Sequence, residues 1–458
     1  MEYGRAVRKY RGKGHLVLAD GSKFTCHVSI LQVETGNIYL ICKLAPNFLQ
    51  AASTINDIIH HKCEIDHVQG KTVDGLDFTT MHRLAVIHAS LELFSNKASE
   101  LTLMADEVTL IAENEAMTDY YEFGVVNFEF SGNHNATKII QNGPEPIEHS
   151  YLNLEMKAPW GVATADPLPN HNEIIKRIKA QKSTSITCKF TVKSSHGIEA
   201  DEIINNLDEL CRLLSLSRAT KITWINAVGY TATGKIKEII LKNSITWPFS
   251  SGDLIDSRDH TDTAIFIEKS YPAYLRLRKE YNLDIAIEQY LDANNSTTYL
   301  ETRGLAAVAL IDSLQQLYTS KHRLTKIIKG FGNKKEDIKA ALTSIISAAF
   351  PNIASHQLRD MLEKLPELNR KPFFSLLRAW TKSIGLNIAD TELREIVRTR
   401  NSLAHNMSYL SRDSRGKQIE YFRLINFVNQ VFLKLLGYDG HFIYVDLNDL
   451  SFGRKKFS

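Results

Sequence analysis

The chain has 458 residues, 43% of them apolar and 23% charged, with a formal net charge of +3. That length exceeds one typical hydrophobic core and implies two or three domains, and the ordinary composition excludes a disordered chain as the default. No stretch of about 18 uncharged apolar residues occurs, so no membrane-spanning helix is expected, and the basic start is followed by no apolar run of the secretory kind.

Five cysteines, Cys26, Cys42, Cys63, Cys188 and Cys211, are an odd number without regular spacing. They suit reduced thiols in a cytoplasmic protein better than a disulfide framework. Charge is unevenly spread. Residues 1–260 hold 26 Lys and Arg against 31 Asp and Glu, whereas residues 261–458 hold 29 against 21. The basic C-terminal part points to an anionic partner, of which RNA is the obvious candidate.

Short alternating segments dominate the first half. Residues 15–18, 25–33, 37–42, 101–111, 124–130, 150–156 and 185–192 read as strands rich in β-branched and aromatic side chains, separated by polar turns at 131–136 and 141–146. Many short strands joined by such turns imply an antiparallel sandwich or barrel. A helix is predicted over 199–216, with Asp201 near its positive end, followed by strands at 221–231 and 235–242 and a break at 248–253. From about residue 264 the apolar period becomes helical. Helices are predicted over 274–291, 299–318, 335–349, 353–365, 372–384, 390–404 and 418–436, with joins at 329–333, Pro351 and Gly437. The fold class is therefore α+β: a β-rich domain over 1–260 and an all-α bundle over 261–458.

Most chemical motifs are absent. The chain has no Gly-rich loop ending in Lys-Ser/Thr, no Cys-x-x-Cys pair, no His-Glu-x-x-His and no nucleophile-elbow serine, so neither a nucleotide hydrolase nor a zincin is supported. His60, His61, Cys63 and His67 lie within eight residues and are all of metal-ligating type, but their spacing fits no common zinc site. They read as a polar helix end and loop, and no metal or cofactor is expected.

Residues 391–406 are more informative. On an α-helix Arg394, Arg398, Asn401 and His405 fall at i, i+4, i+7 and i+11 and form one polar stripe, while Ile396, Val397 and Leu403 turn to the core. Arg400 precedes His405 by five residues, about 140° away around an ideal helix. The two can meet only if the helix ends or bends there, or across a subunit interface. Asn406 is a candidate for such an ending, since Asn tolerates the left-handed conformation.

These residue types suit RNA cleavage. Histidine exchanges protons near neutral pH by its intrinsic chemistry, and arginine offers a fixed charge and a planar fork of donors to a phosphate gaining charge. RNA supplies its own 2′-hydroxyl as attacking group, so no protein nucleophile is needed. Basic residues are also dense at 321–329 and at Lys334, Lys335 and Lys339; Lys326 and Lys329 read as contacts to an RNA backbone.

Arg400-Asn401-x-x-x-His405 resembles the Arg-x4–6-His signature of HEPN domains, including the Asn that often follows the Arg. The stretch Glu301-x-Arg303-Gly-Leu-Ala-Ala-Val-Ala-Leu-Ile-Asp312-Ser-Leu314 is similar to the family's second long helix, with Asp312 in place of the usual Glu. A β-rich N-terminal part, a helix near 200–216 and then this bundle resemble the ApeA group of bacterial anti-phage HEPN proteins.

The resemblance implies a metal-independent endoribonuclease that acts on tRNA or messenger RNA and limits phage spread by shutting down the infected host. His405 would be the general acid/base, Arg400 the phosphate clamp, Asn401 an orienting partner, and Glu301 and Asp312 auxiliary acids; with Arg400 in that role, Arg398 is expected to be a secondary RNA contact or a salt-bridge partner of Glu395 or Asp390. It implies a homodimer with two motifs facing one cleft, and an N-terminal sensor for a phage-derived trigger. Two other readings stay open: a non-catalytic HEPN module that binds RNA or protein, and a carbohydrate- or protein-binding β-domain on a structural bundle.

Overall fold

The computed structural model describes residues 5–44, 56–58, 60, 63–90, 99–113, 117–130, 139–140, 143–144, 154–181, 183–193, 200–244, 253–256, 260–329 and 331–457. Strands β1 (Ala6–Leu18), β2 (Lys23–Val33), β3 (Ile38–Leu44), β4 (Ile65–Thr72), β5 (Leu76–Ser90) and β6 (Ser99–Ala112) run in the order β6-β3-β2-β1-β4-β5, and β5 returns to pair with β6. The result is a closed antiparallel barrel. Alternation drives it: along β2, Phe24, Cys26, Val28 and Ile30 point inward while Lys23, Thr25 and His27 face solvent. A register shift in β5 between Met81 and Leu84, with His82 at φ 64°, supplies the local bend that closure needs. Gly14 and Gly70 face each other across β1 and β4 so closely that a Cβ on Gly70 would collide with the Lys13 carbonyl and the Gly14 Cα.

The far end of β6 leads into a second sheet. It contains β7 (Tyr120–Val126), β10 (Leu154–Ala158), β11 (Gly161–Pro167), β12 (Ile186–Lys193), β13 (Thr223–Tyr230) and β14 (Ile236–Lys242), in the order β10-β11-β12-β7-β13-β14-β6. A tiny hairpin, β8 (Ile139–Ile140) with β9 (Gly143–Pro144), lies between β7 and β10 in the chain. Helices α1 (His171–Gln181) and α2 (Ala200–Arg218) accompany this sheet. The barrel has its own core. A second core runs unbroken from Phe123 and Trp224 through Leu210 and Leu214 on α2 to Tyr271, Tyr290, Trp380 and Phe432 in the helices beyond. Trp160 donates to Tyr271 Oη at 2.9 Å, and Tyr271 donates to Glu209 at 2.9 Å, so sheet, α2 and the first bundle helix are also tied by polar contacts.

The helical part comprises α3 (His260–Leu277), α4 (Leu283–Asn294), α5 (Leu300–Lys321), α6 (Lys335–Ala349), α7 (Ser355–Glu363), α8 (Leu365–Leu368), α9 (Phe373–Ser383), α10 (Asp390–Asn406) and α11 (Ser414–Leu435). Helix α5 is its axis and packs against α4, α9, α10 and α11. No side chain of α6 is buried, so this helix presents no face to the bundle core.

Several expectations change. The helix predicted over 274–291 is two helices, because Asn282 takes a left-handed turn (φ 47°) that directs the chain from α3 into α4. The C-terminal part is not purely helical: the chain ends in a hairpin of β15 (His441–Val445) and β16 (Phe452–Lys456), with Phe442 and Phe457 buried against the core. Strands β4 and β5 and helix α1 are not among the predicted elements; along β5 most side chains are exposed, so alternation is weak, whereas α1 buries Ile174, Ile175 and Ile178 at helical spacing within a stretch read as strands and turns. The turns expected at 131–136 and most of those at 141–146 and 248–253 lie outside the described residues, as does His61.

Candidate functional site

Helix α10 forms where its sequence says it should. Asp390 and Glu392 occupy the first turn, where carboxylates complement the helix dipole, and His405 lies in the last. Leu393, Ile396, Thr399 and Leu403 are buried at helical spacing. Arg394, Arg398, Asn401 and His405 are exposed on the opposite face, as a single stripe. Arg394 lies 4.5 Å from the centre of the Phe374 ring, and Arg398 pairs with Glu395 at 2.8 Å. Among the described residues, no hydrogen bond or ion pair engages the His405 side chain.

The helix neither bends nor stops between Arg400 and His405. It continues through Asn406, and the left-handed residue is Met407 (φ 53°, ψ 27°), whose N–H reaches the Leu403 carbonyl at 3.0 Å. The ending expected at Asn406 is thus one residue later. Within one chain Arg400 and His405 stay on different sides of α10, whereas Arg398 shares the His405 face.

Arg400 turns instead to α5. Its Nε donates to Asp312 Oδ1 at 3.1 Å and its Nη2 to Asp312 Oδ2 at 2.5 Å, a two-pronged ion pair. Nη1 donates to Asn401 Oδ1 at 3.1 Å, and the guanidinium stands 4.8 Å from the centre of the Phe373 ring. The side chains of Arg400 and Asp312 are 21% and 32% exposed, so the pair is only partly screened by water. Asp312 is therefore the acid that holds the arginine.

The end of the site is built around the first turn of α5. Tyr409 Oη donates to the Leu300 carbonyl at 2.9 Å and presses against Gly304, where a Cβ would overlap that hydroxyl and meet Leu403 Cδ1 at 3.0 Å. Glycine is what lets α10 and its following loop approach α5. Glu301 pairs with Lys417 at 2.8 Å, and that contact holds its carboxyl below the usual range. Arg303 donates to the Ala293 carbonyl at 3.2 Å and to Tyr421 Oη, and lies 4.3 Å from the centre of the Tyr421 ring. Burial pushes the Tyr421 hydroxyl up to about 12, with the Arg303 charge pulling it back. Burial likewise raises Tyr409. The loop after α10 is pinned by Glu420, which accepts from the backbone N–H groups of Leu410 at 3.0 Å and Ser411 at 2.8 Å. Glu420 and Tyr409 carry no sequence signal, because each acts on a segment that its own helical or loop period does not reveal.

No family model, curated protein or solved structure matches this chain.

Lys326 and Lys329 are exposed, on the connector that follows α5. This connector pairs with 369–371: Ile327 N–H reaches the Asn369 carbonyl at 2.8 Å, and Lys326 and Arg370 form an isolated bridge. They lie beyond the opposite end of α5 from Tyr409, and a helix of 22 residues is about 33 Å long. The structure brings Arg400, Asn401, Asp312 and Phe373 together, places Glu301 in the first turn of α5, leaves His405 on the exposed face of α10, and bridges Lys326 to Arg370, three residues before Phe373. In the N-terminal part, His67 pairs with Asp66 at 2.8 Å, and no group of three metal-ligating side chains occurs among the described residues. No helix among them is long and apolar enough to cross a membrane.

Proposed function

We propose that this chain is a metal-independent endoribonuclease of the HEPN type, related to the ApeA group, that acts on RNA (tRNA among the candidates) in the cytoplasm during anti-phage abortive infection. The observation that carries the reading is the coupling of the two resembling segments. Asp312 and Arg400 lie 88 residues apart, and a two-pronged ion pair joins them while His405 stays exposed.

In the reaction, the RNA 2′-oxygen bonds to the adjacent phosphorus and the bond to the 5′-oxygen breaks. His405 moves the proton at one of these oxygens. Arg400, oriented by Asp312 and Asn401, holds the phosphate as charge builds on its oxygens. Arg398, Lys326 and Lys329 contact the RNA backbone. Because Arg400 and His405 face apart on one helix, the site is completed by a second copy: the helical domain over 261–458 forms a two-fold dimer in which the arginine of one chain serves the histidine of the other. The N-terminal domain receives a phage-derived trigger.

Purified protein incubated with total RNA in chelator should produce ends bearing 2′,3′-cyclic phosphate and 5′-hydroxyl. Cleavage that stops in chelator and returns with a divalent ion would point to a different mechanism. Light scattering should report the mass of two chains, and an active monomer at assay concentration would contradict the shared cleft. One observation favours a second reading, a non-catalytic HEPN module that binds RNA or a protein: Arg400 is already satisfied by Asp312 within its own chain. That module would bind RNA yet leave no new ends.

A further inference from the structure

A cleft of about 430 Å³ lies where the barrel end, the second sheet and α1 meet, and none of its lining residues belongs to the helical part. Its floor follows from strand register. Gly124 of β7 stands between Lys189 of β12 and Asn226 of β13. Residues paired in register share one face of a sheet, so all three look the same way. A Cβ on Gly124 would come within 2.7 Å of Asn226 Oδ1 and 3.1 Å of Ile186 Cδ1, so glycine keeps this floor open. Asn226 donates to Gln32 at 3.2 Å, and Gln32 is paired with Arg8 of β1, which carries the same face to the barrel end. Asn170, Ile174 and Arg177, about one turn apart on α1 and just before it, form the wall. Ile174 packs with Leu168 in a small cluster of its own, separate from both main cores.

Charge in the cleft is not balanced. Arg5, Arg8, Arg177 and Lys189 line it against only Glu34 and Glu122. Lys189 takes Glu122 at 2.9 Å, and Asp166 lies beside it in register on β11. Glu34 serves two arginines: Arg177 Nη2 donates to both of its oxygens at 3.2 Å, and Arg5 approaches at 3.7 Å. Half-buried Arg8 reaches the Tyr10 hydroxyl instead, and among the described residues no carboxylate pairs with it. Cations in excess of their counter-ions draw an anion into a cleft. The excess among the lining residues matches the charge of a phosphate monoester, about −1.5 to −2 near neutral pH, and guanidinium forks match its oxygens. The cleft has the size of a small-molecule site, roughly 300–1,000 Å³, with Leu168, Ile174 and Ile186 as an apolar surface for an organic body.

We propose that this cleft binds a small phosphomonoester, with its phosphate held by Arg8 and Arg177 and its organic part against Leu168, Ile174 and Ile186. Glu34 already ties α1 to the barrel end through Arg177, and the bound phosphate joins the same two elements through Arg8 and Arg177. The site shares no residue with α10 and stands whether or not the chain cleaves RNA.

Calorimetric titration of the full chain tests this with adenosine monophosphate, inorganic phosphate and adenosine. The monophosphate should bind with a millimolar or tighter Kd, inorganic phosphate should bind more weakly at the same site, and adenosine should give no signal. Arg8→Gln removes a charged donor without breaking an ion pair to a carboxylate. It should leave the melting temperature in place and weaken the monophosphate roughly 10- to 150-fold, with Arg8→Lys recovering part of the loss. Arg177→Gln should weaken it similarly and also melt earlier, because Glu34 loses its nearer partner. A parent chain that binds neither the monophosphate nor inorganic phosphate would overturn the site. So would adenosine binding as tightly as its monophosphate, or parental affinity in both Arg8→Gln and Arg177→Gln. A 5′-phosphorylated oligoribonucleotide whose binding depends on Arg8 where that of the monophosphate does not would make the cleft an RNA groove and overturn the small-ligand assignment.

Discussion

Replacing His405 by alanine should abolish RNA cleavage, and any growth arrest that depends on it, while leaving the fold intact. A positioned general acid or base is worth about 10²- to 10⁴-fold in rate. The loss should therefore carry turnover to the background of an assay on total RNA. Stability should barely change. His405 lies on the exposed face of α10, opposite Leu393, Ile396 and Leu403, and among the described residues makes no hydrogen bond or ion pair. Substitutions of that kind usually shift stability by about 0.5 kcal/mol or less. The measurement is cleavage alongside a melting curve of the same preparation. A folded variant that cleaves as fast as the parent would remove the nuclease assignment from this helix.

Arg400→Ala should be slow at saturating RNA, by about two to three orders of magnitude if the lost charge acts like one oxyanion-stabilising donor. It should also melt earlier. Asp312 loses both prongs of its partner, and a partly buried polar group left without its partner costs about 1–3 kcal/mol. Arg398→Ala should instead weaken RNA binding and flatten its salt dependence while turnover at saturation stays near normal, since Arg398 is exposed and, among the described residues, pairs with Glu395 on its own helix. Two controls separate the effects. Asp312→Asn keeps the arginine charge but weakens its fork, so it should destabilise much as Arg400→Ala does yet lose less turnover. The pair Lys326→Glu and Lys329→Glu should lower affinity in a salt-dependent manner without slowing the saturated enzyme. If Arg398→Ala is the slow enzyme and Arg400→Ala turns over normally, the acting arginine is the one that shares a helix face with the histidine, and the shared-cleft arrangement fails with it.

The same helix shows what could be read from residue order and what could not. The period of α10 was legible, because burial of Leu393, Ile396 and Leu403 follows from 3.6 residues per turn, and the stripe from Arg394 to His405 follows from the same arithmetic. So was the change from alternating to helical period, since the barrel strands bury every second side chain and the helices bury one stripe. Asn282 was not read as a break, because only its left-handed turn, and not the apolar spacing, divides α3 from α4.

The sequence by itself determined the two kinds of structure, their order along the chain, and the presence of an arginine, an asparagine and a histidine on one helix: local periodicity and side-chain chemistry suffice for all of these. Tertiary structure alone decided the rest. That the sheet closes into a barrel depends on β1 finding β4 and β3 finding β6, long-range pairings such as Gly12 with Thr72 and Ile38 with Ala105 that no local pattern encodes. That Arg400 faces Asp312 rather than His405 depends on α10 packing against α5 at Gly304, where the missing side chain permits the approach and a half-buried carboxylate captures the nearer cation.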